Sequence, residues 1–377
     1  MNKWIFLVIT LLSQLKIEAQ ISDFKNVNFK NADAIAYAFK GNDLSNLPQL
    51  AHNLTSNLSN DVEKFRAIYT WVSTNIEGDY YSFIKNKSKR NKHQNDSLEL
   101  NKWNRLYSNQ VFKKLAKEKK TICTGYAYLV KSLANFSNIN CEIIDGFGRN
   151  ESSIDSNLKF PNHSWNAVQL NNKWYLCDAT WSSGAYNLNT FTFEFDYNDG
   201  YFLADPELFA KDHFPNDIKW LLKDKKTNLS EFLKAPVVYD YAFKYAIFPI
   251  EPSLMHLEIE KNKEATFLLK DLKGIDINTI FLQINYGTRI EYIKPTIERL
   301  ENGTIKIKYT FTKLGFYDVH INLGTHSICT YVVKVKKKKS NPFCESKTDF
   351  LFNISTIKKL KKILYRYCMD KAWIKHG

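Results

Sequence analysis

The chain has 377 residues, 15% of them aromatic (26 Phe, 21 Tyr and 8 Trp), which is enough apolar material for two buried cores. Its formal charge of +14 is spread over many lysines, and no nucleic-acid motif, zinc-spaced Cys/His set or Gly-rich phosphate loop accompanies it. The charge therefore reads as a solvated surface, and no nucleic-acid partner, metal or organic cofactor is expected.

Met1-Asn2-Lys3 is a short positive start, and Trp4 to Leu12 is an uncharged apolar run ending well before Ala19-Gln20. The run is far shorter than the roughly 20 apolar residues of a membrane span. It predicts a signal peptide over 1–20, cleaved near Ala19, and an exported protein, periplasmic or secreted, with no later membrane span. The six cysteines (Cys123, Cys141, Cys177, Cys329, Cys344 and Cys368) are too sparse for a disulfide-held mini-protein, and their pairing stays open.

Short helical patches are expected at Ala34–Phe39 and Leu47–Leu54. Asn60 with Glu63 makes a capping-box-like start, after which Val62, Phe65, Tyr69, Val72 and Ile76 fall on one apolar helix face. Residues 83–104 are polar and Lys/Asn-rich, and read as a surface loop. Ser108–Ala116 reads as a short helix with Val111, Phe112 and Leu115 facing inward.

From Cys123 the positions Tyr126, Leu129, Val130 and Leu133 repeat with helical period, and the helix gives out among Asn135–Asn140. Cys123 thus lies in a first turn, where free backbone N–H groups and the positive end of the helix dipole favour a thiolate. On position alone a buried structural cysteine is an equal reading.

Cys141–Phe147 reads as a strand, and His163–Leu170 and Lys173–Thr180 as a hairpin about Asn171-Asn172. In that register paired residue numbers sum to 343, so His163 opposes Thr180 and Trp165 opposes Asp178. His163 and Asp178 become diagonal neighbours on one face, with Cα atoms about 7–8 Å apart. Cys177 points to the other face, which suits packing. A thiol at a helix start followed by a His and an Asp on one hairpin face is the set a cysteine nucleophile needs. A metal held by Cys123, His163 and Asp178 lacks any paired spacing such as C-x-x-C. His213 and Asp212 fall in a later loop and read as weaker alternatives.

T-I-C-T-G-Y-A at 121–127, H-S-W-N-A-V at 163–168 and W-Y-L-C-D-A-T-W at 174–181 resemble the core of the transglutaminase-like superfamily, nearest to a bacterial branch akin to the kyphoscoliosis-peptidase group. The likeness runs from about residue 45 to 240. It takes in Glu63–Val72 with Asn75-Ile76 upstream, and Tyr201–Leu203, Asp205-Pro206, His213–Pro215 and Trp220–Leu222 downstream. It departs at Gly78-Asp79, where the family often has Tyr-Asp, and at the polar insertion 83–104. The resemblance implies an α+β fold with a papain-like core of helices on an antiparallel sheet. It also implies acyl transfer on peptide amides through a thioester, with Cys123 as nucleophile, His163 as base and acid, and Asp178 as its orienting partner. The alternative is a non-catalytic binding or scaffolding module of the cell envelope.

Beyond residue 245 the segments Leu254–Glu260, Ala265–Leu269, Thr279–Tyr286, Ile305–Phe311, Phe316–Leu323 and Ser327–Val335 read as strands between turn signals. They predict an immunoglobulin-like β-sandwich. The expected organisation is a signal peptide (1–20), an enzyme domain (21–245), the sandwich (246–338) and a basic, partly helical tail (339–377). Ile357, Leu360, Ile363 and Leu364 lie on one side of a short basic helix in that tail. Docking on its own protein is the simpler role for it, with peripheral contact to an anionic envelope surface as the alternative. A protein or peptide substrate is the expected partner, and the oligomeric state is left unknown.

Overall fold

The structure is a computed structural model and describes residues 21–150, 158 and 160–338. The expected signal peptide and basic tail lie outside the described residues. The described chain divides into two compact units. The first takes residues up to 148, those from 158 to 233 and those from 240 to 248; the second takes 149–150, 234–239 and 249–338.

In the first unit, helices α1 (Lys30–Ala38), α2 (Leu47–Thr55) and α3 (Asp61–Asn75) come first. The Asn60 side chain accepts the Glu63 N–H at 2.9 Å, capping α3 as its sequence signature requires. The expected single apolar face is too narrow a description of α3, because ten of its fifteen residues are buried. Arg66 among them is tied to Asp33 through Nε at 2.6 Å and lies over the Phe202 ring at 4.8 Å. Such an all-round buried helix is the centre of the core, not a surface layer.

Residues 83–104 are not a loop. Helices α4 (Tyr80–Lys92) and α5 (Ser97–Glu118) occupy the region, and the expected short helix at Ser108–Ala116 is the end of α5. No residue of α4 is buried, so apolar periodicity had nothing to report. Local chemistry holds these helices. Asp79 and Asp96 cap their N-termini, Trp103 stacks on Tyr107 at 4.9 Å, and Trp103 Nε1 donates to Asn86 Oδ1 at 2.9 Å across the pair.

Helix α6 (Cys123–Phe136) begins at the expected residue and buries Tyr126, Leu129, Val130 and Leu133. Beside it lies an antiparallel sheet built from β1 (Cys141–Gly148), β2 (His163–Leu170), β3 (Lys173–Cys177) and the short β4 (His213–Pro215), in the order β3-β2-β1-β4. Helices packed on one antiparallel sheet make this an α+β fold. Asn171 and Asn172 both have positive φ (50° and 61°), as a two-residue hairpin turn demands. The β2–β3 register is the expected one, with Asn166 opposite Cys177 and Leu170 opposite Lys173. Strand β3 ends at Cys177, however, and the chain turns into helix α7 (Ala179–Ser183). Thr180 and Asp178 are therefore not in the ladder.

The second unit is rich in strands. In one sheet Gly315–Leu323 pairs antiparallel with both Ile280–Tyr286 and His326–Lys336, and His256–Glu260 adds on in parallel to the last. In the other, Ile305–Thr310 pairs with Glu264–Asp271 and Thr296–Arg299. Alternate residues are buried, such as Ala265, Phe267 and Leu269 on one sheet and Val319 and Ile321 on the other. Phe267 and Tyr331 meet between the sheets at 4.9 Å. Each of the six expected strands has a counterpart within a few residues. Arg289–Ile293, which is largely exposed, was not expected.

Candidate active site

Four chain segments converge on one buried cluster. Cys123 is the first residue of α6, preceded by Ile122, whose apolar side chain makes no cap hydrogen bond. His163 is the first residue of β2, Asp178 is the N-cap of α7, and His213 opens β4. Strand β1 binds two of these segments together: its Gly146 pairs with His163 and its Gly148 with His213. A Cβ on Gly148 would stand 2.9 Å from the Cβ of His163, so only glycine lets the strands and rings approach this closely.

His163 and Asp178 meet, with Nε2 at 2.7 Å from Oδ2. The other nitrogen, Nδ1, is not engaged by Asp178, and Cys123 lies close enough for its thiol and the His163 imidazole to perturb each other. The imidazole is stacked on Trp181 with centroids 4.6 Å apart. Cys123 is half-buried, whereas His163 and Asp178 are buried. Of the three residues singled out from the sequence, His163 and Asp178 are in direct contact.

The route differs from the expected diagonal pair on a hairpin. Asp178 reaches His163 by leaving the strand and capping a helix, its Oδ1 accepting the Thr180 N–H at 2.8 Å. Its backbone is fixed as well, since its N–H donates to the Tyr201 carbonyl and its own carbonyl accepts the Tyr69 hydroxyl at 2.9 Å. Cys177 faces the main core, and Trp165, 1% exposed, is a core aromatic against Phe209 and His213.

His213 is the residue that sequence reasoning underrated. Its Nε2 lies 3.2 Å from the same Asp178 Oδ2 that His163 uses, and its Nδ1 lies 2.5 Å from Asp212 Oδ1. Tyr201 donates its hydroxyl toward Asp212 (3.3 Å) and Asp240 (3.0 Å). The ring of His213 is stacked on Phe209 at 4.0 Å and lies 4.4 Å from Trp181. The one signal in the sequence was the H-F-P motif, whose spacing alone says nothing of its partner.

The charges favour an ion pair between thiol and imidazole. Burial opposes the His163 imidazolium, but the Asp178 charge and hydrogen bond, with help from Cys123, raise it to about 10. Burial likewise opposes the Cys123 thiolate, and the neighbouring His163 imidazole outweighs it, so the thiol falls below its ordinary value. Asp178 is disfavoured as an anion by burial, yet His163 and His213 hold it well below the usual carboxylate range. The three shifts agree in direction, each favouring a proton on His163.

His163, Asp178 and His213 also place three metal-capable atoms within 4.8 Å of one another. The two ring nitrogens already point at Asp178 Oδ2 at hydrogen-bond distance, so protons fill the role a cation would have, and an ion would have to displace them.

Residues 48–179 match the sequence profile of the transglutaminase-like superfamily, and they contain Cys123, His163 and Asp178. The chain belongs to the transglutaminase-like superfamily. Human kyphoscoliosis peptidase is 30% identical over 310 residues, which cover 78% of this chain and 42% of that protein. The mouse kyphoscoliosis peptidase is 30% identical over 302 residues, covering 76% and 41%. The Lim and transglutaminase domain protein ltd-1 of Caenorhabditis elegans is 26% identical over 239 residues, covering 60% and 30%. This transglutaminase-like chain spans about two fifths of the length of the kyphoscoliosis peptidases it matches. These relatives are animal proteins and give no support to a bacterial branch. His213 lies beyond the profile match.

Proposed function

We propose that the chain is a cysteine acyl transferase acting on peptide amides through a thioester. The observation that carries this reading is the 2.7 Å His163–Asp178 contact beside Cys123 at the start of α6, where His163 favours the thiolate. Cys123 thiolate attacks the amide carbonyl carbon, and the carbonyl electron pair moves to oxygen. The backbone N–H of Cys123, at a helix start without a side-chain cap, faces the developing oxyanion. Collapse of the intermediate breaks the C–N bond as His163 Nδ1–H protonates the leaving amine, and a thioester remains. Water (hydrolysis) or a second amine (crosslinking) then attacks it, with His163 taking the incoming proton and Cys123 leaving as thiolate. Asp178 keeps the ring in the required tautomer and balances its charge.

The facing sheets of the second unit support an immunoglobulin-like sandwich serving as a spacer or binding module. No described helix is long and apolar enough to cross a membrane. The short apolar run at residues 4–12 supports export. The test is acyl-enzyme trapping: the full chain is mixed with peptide libraries with and without a primary amine, and Cys123 is mapped by mass spectrometry. A covalent acyl adduct on Cys123, absent from Cys123→Ala, is expected. No adduct, together with a thiol that titrates like a free cysteine near ~8.5, would leave a non-catalytic binding module as the better reading.

A further inference from the structure

The reading above uses one of the two imidazoles that meet Asp178. We propose that His213 is a positioning residue whose Nε2–H donates to Asp178 Oδ2, locking the carboxylate as an anion against His163, with Asp212 fixing the proton arrangement of His213. The proposal rests on the acyl-transfer reading for its meaning and on geometry for its support.

Both nitrogens of His213 face carboxylates, Asp212 at 2.5 Å and Asp178 at 3.2 Å. A neutral ring between two carboxylates would turn one lone pair onto an anion, so the His213–Asp212 pair must hold an extra proton. Two arrangements satisfy this. Either His213 is an imidazolium between two carboxylates, or Asp212 is protonated and donates to Nδ1. In both, the Nε2–H toward Asp178 survives. Burial pushes Asp212 up to about 6 and the carboxylates raise His213 against its own burial, so the pair retains its proton. The groups facing this pair are Asp178, His163 with its ring 5.3 Å away, and Tyr201, which joins Asp212 to Asp240. Phe209, Trp181 and Trp165 enclose the ring.

The consequence is a carboxylate that accepts three donors: His163, His213 and the Thr180 N–H. A carboxylate so held neither rotates nor picks up a proton easily. Without His213, Oδ2 keeps one donor only, and the His163 ring loses the fixed partner that sets its tautomer.

The test uses the full chain with ¹⁵N-labelled histidine. The N–H between His163 and Asp178 should give a downfield ring-proton resonance protected from exchange. His213→Phe keeps a ring stacked on Phe209 but removes the donor; the resonance is expected to broaden or vanish. His213→Gln, whose amide N–H can reach Asp178, is expected to restore it. Alkylation of Cys123 at pH 6.5 should fall about tenfold or more in the Phe variant, the effect of one charge-assisted hydrogen bond, and recover in the Gln variant. An unchanged His163 resonance in a His213→Phe protein that melts like the parent overturns the proposal. So does a Gln variant that melts like the parent and still lacks the resonance.

If the Phe variant does not fold, Asp212→Asn decides. Its amide donates to Nδ1, leaves the proton on Nε2, and should keep the resonance; loss in a protein that melts normally refutes the assigned role. The resonance does not depend on thiol reactivity. An unreactive Cys123 in the parent therefore defeats the acyl-transfer reading alone, and the resonance still judges His213.

Discussion

Asp178→Asn isolates the electrostatic element of this site. In the parent, Oδ2 accepts from two imidazoles and Oδ1 accepts from the Thr180 amide, so both carboxylate atoms are acceptors. A carboxamide has one acceptor. If its oxygen faces the imidazoles, its NH₂ meets the Thr180 N–H, losing a helix cap worth about 1 kcal/mol and burying an unpaired donor at about 1–3 kcal/mol. The other orientation keeps the cap and turns the NH₂ toward His163 Nε2, at the loss of the acceptor for His213 Nε2–H. That donor moves the ring proton to Nδ1, opposite Cys123, where it blocks transfer of the thiol proton. The charge that raises His163 to about 10 is gone, and burial pulls the imidazole below its ordinary value. At pH 7 the ring is neutral and Cys123 reverts to an ordinary thiol, of which only about 3% is ionised at a pKa of ~8.5. The alkylation rate at pH 7 should fall, by up to about tenfold in the limit of a fully ionised parent thiol once the lower nucleophilicity of an acidic thiolate is allowed for. The assay is iodoacetamide labelling from pH 5.5 to 9.5, with peptide mapping of Cys123. The parent's rate should level off at a lower pH than that of Asp178→Asn, which should climb with pH through ~8.5 or above. An Asp178→Asn protein labelled as fast as the parent at pH 7, with the same pH profile, would falsify the ion-pair assignment.

Three further outcomes are expected. Asp212, pushed up to about 6, contributes stability that is fully present below the unfolded value near 3.8 and is lost as pH rises through 6; His213, also raised, acts in the same direction at higher pH. Urea midpoints measured between pH 4 and 7 should therefore show a smaller decline with rising pH for Asp212→Asn than for the parent, and equal slopes would contradict the burial argument. Arg66→Met removes a buried guanidinium that bridges Asp33 and Asp199. Because Asp33 is partly open to solvent, the loss should be about 2–4 kcal/mol, seen as a lower midpoint with unchanged m-value; a loss under ~0.5 kcal/mol would mean the bridge is dispensable. In Gly125→Ala the new Cβ would stand 1.8 Å from Thr121 Oγ1 and 2.8 Å from Thr121 Cβ, beneath the first turn that presents Cys123. It should destabilise by about 1–3 kcal/mol and slow Cys123 alkylation; parent-like values for both would show that the turn moves at no cost.

Much of this site could be read from the sequence because its strongest signals are local. Helix period placed Cys123 at a first turn, and the Asn171-Asn172 turn fixed a register that the structure reproduces from Asn166–Cys177 to Leu170–Lys173. Capping chemistry placed the start of α3 at Asn60, and alternation placed the main strands of the second unit. These readings succeed because backbone geometry repeats over a few residues and side-chain pattern follows it.

Other features were settled by contacts between distant residues. Helices α4 and α5 carry too little buried surface for periodicity to reveal, and their order comes from caps and from side chains meeting across the pair. Asp178 serves the site from a helix cap because its backbone is held by Tyr201 and Tyr69, which lie far from it in the chain. His213 joins Asp178 across thirty-five residues because β4 pairs with β1 beside His163. The sequence named the thiol, the imidazole and the carboxylate. Which face each occupies, and the second imidazole that completes the buried cluster, depended on tertiary packing, because a buried charge takes whatever partner the fold brings within hydrogen-bond reach.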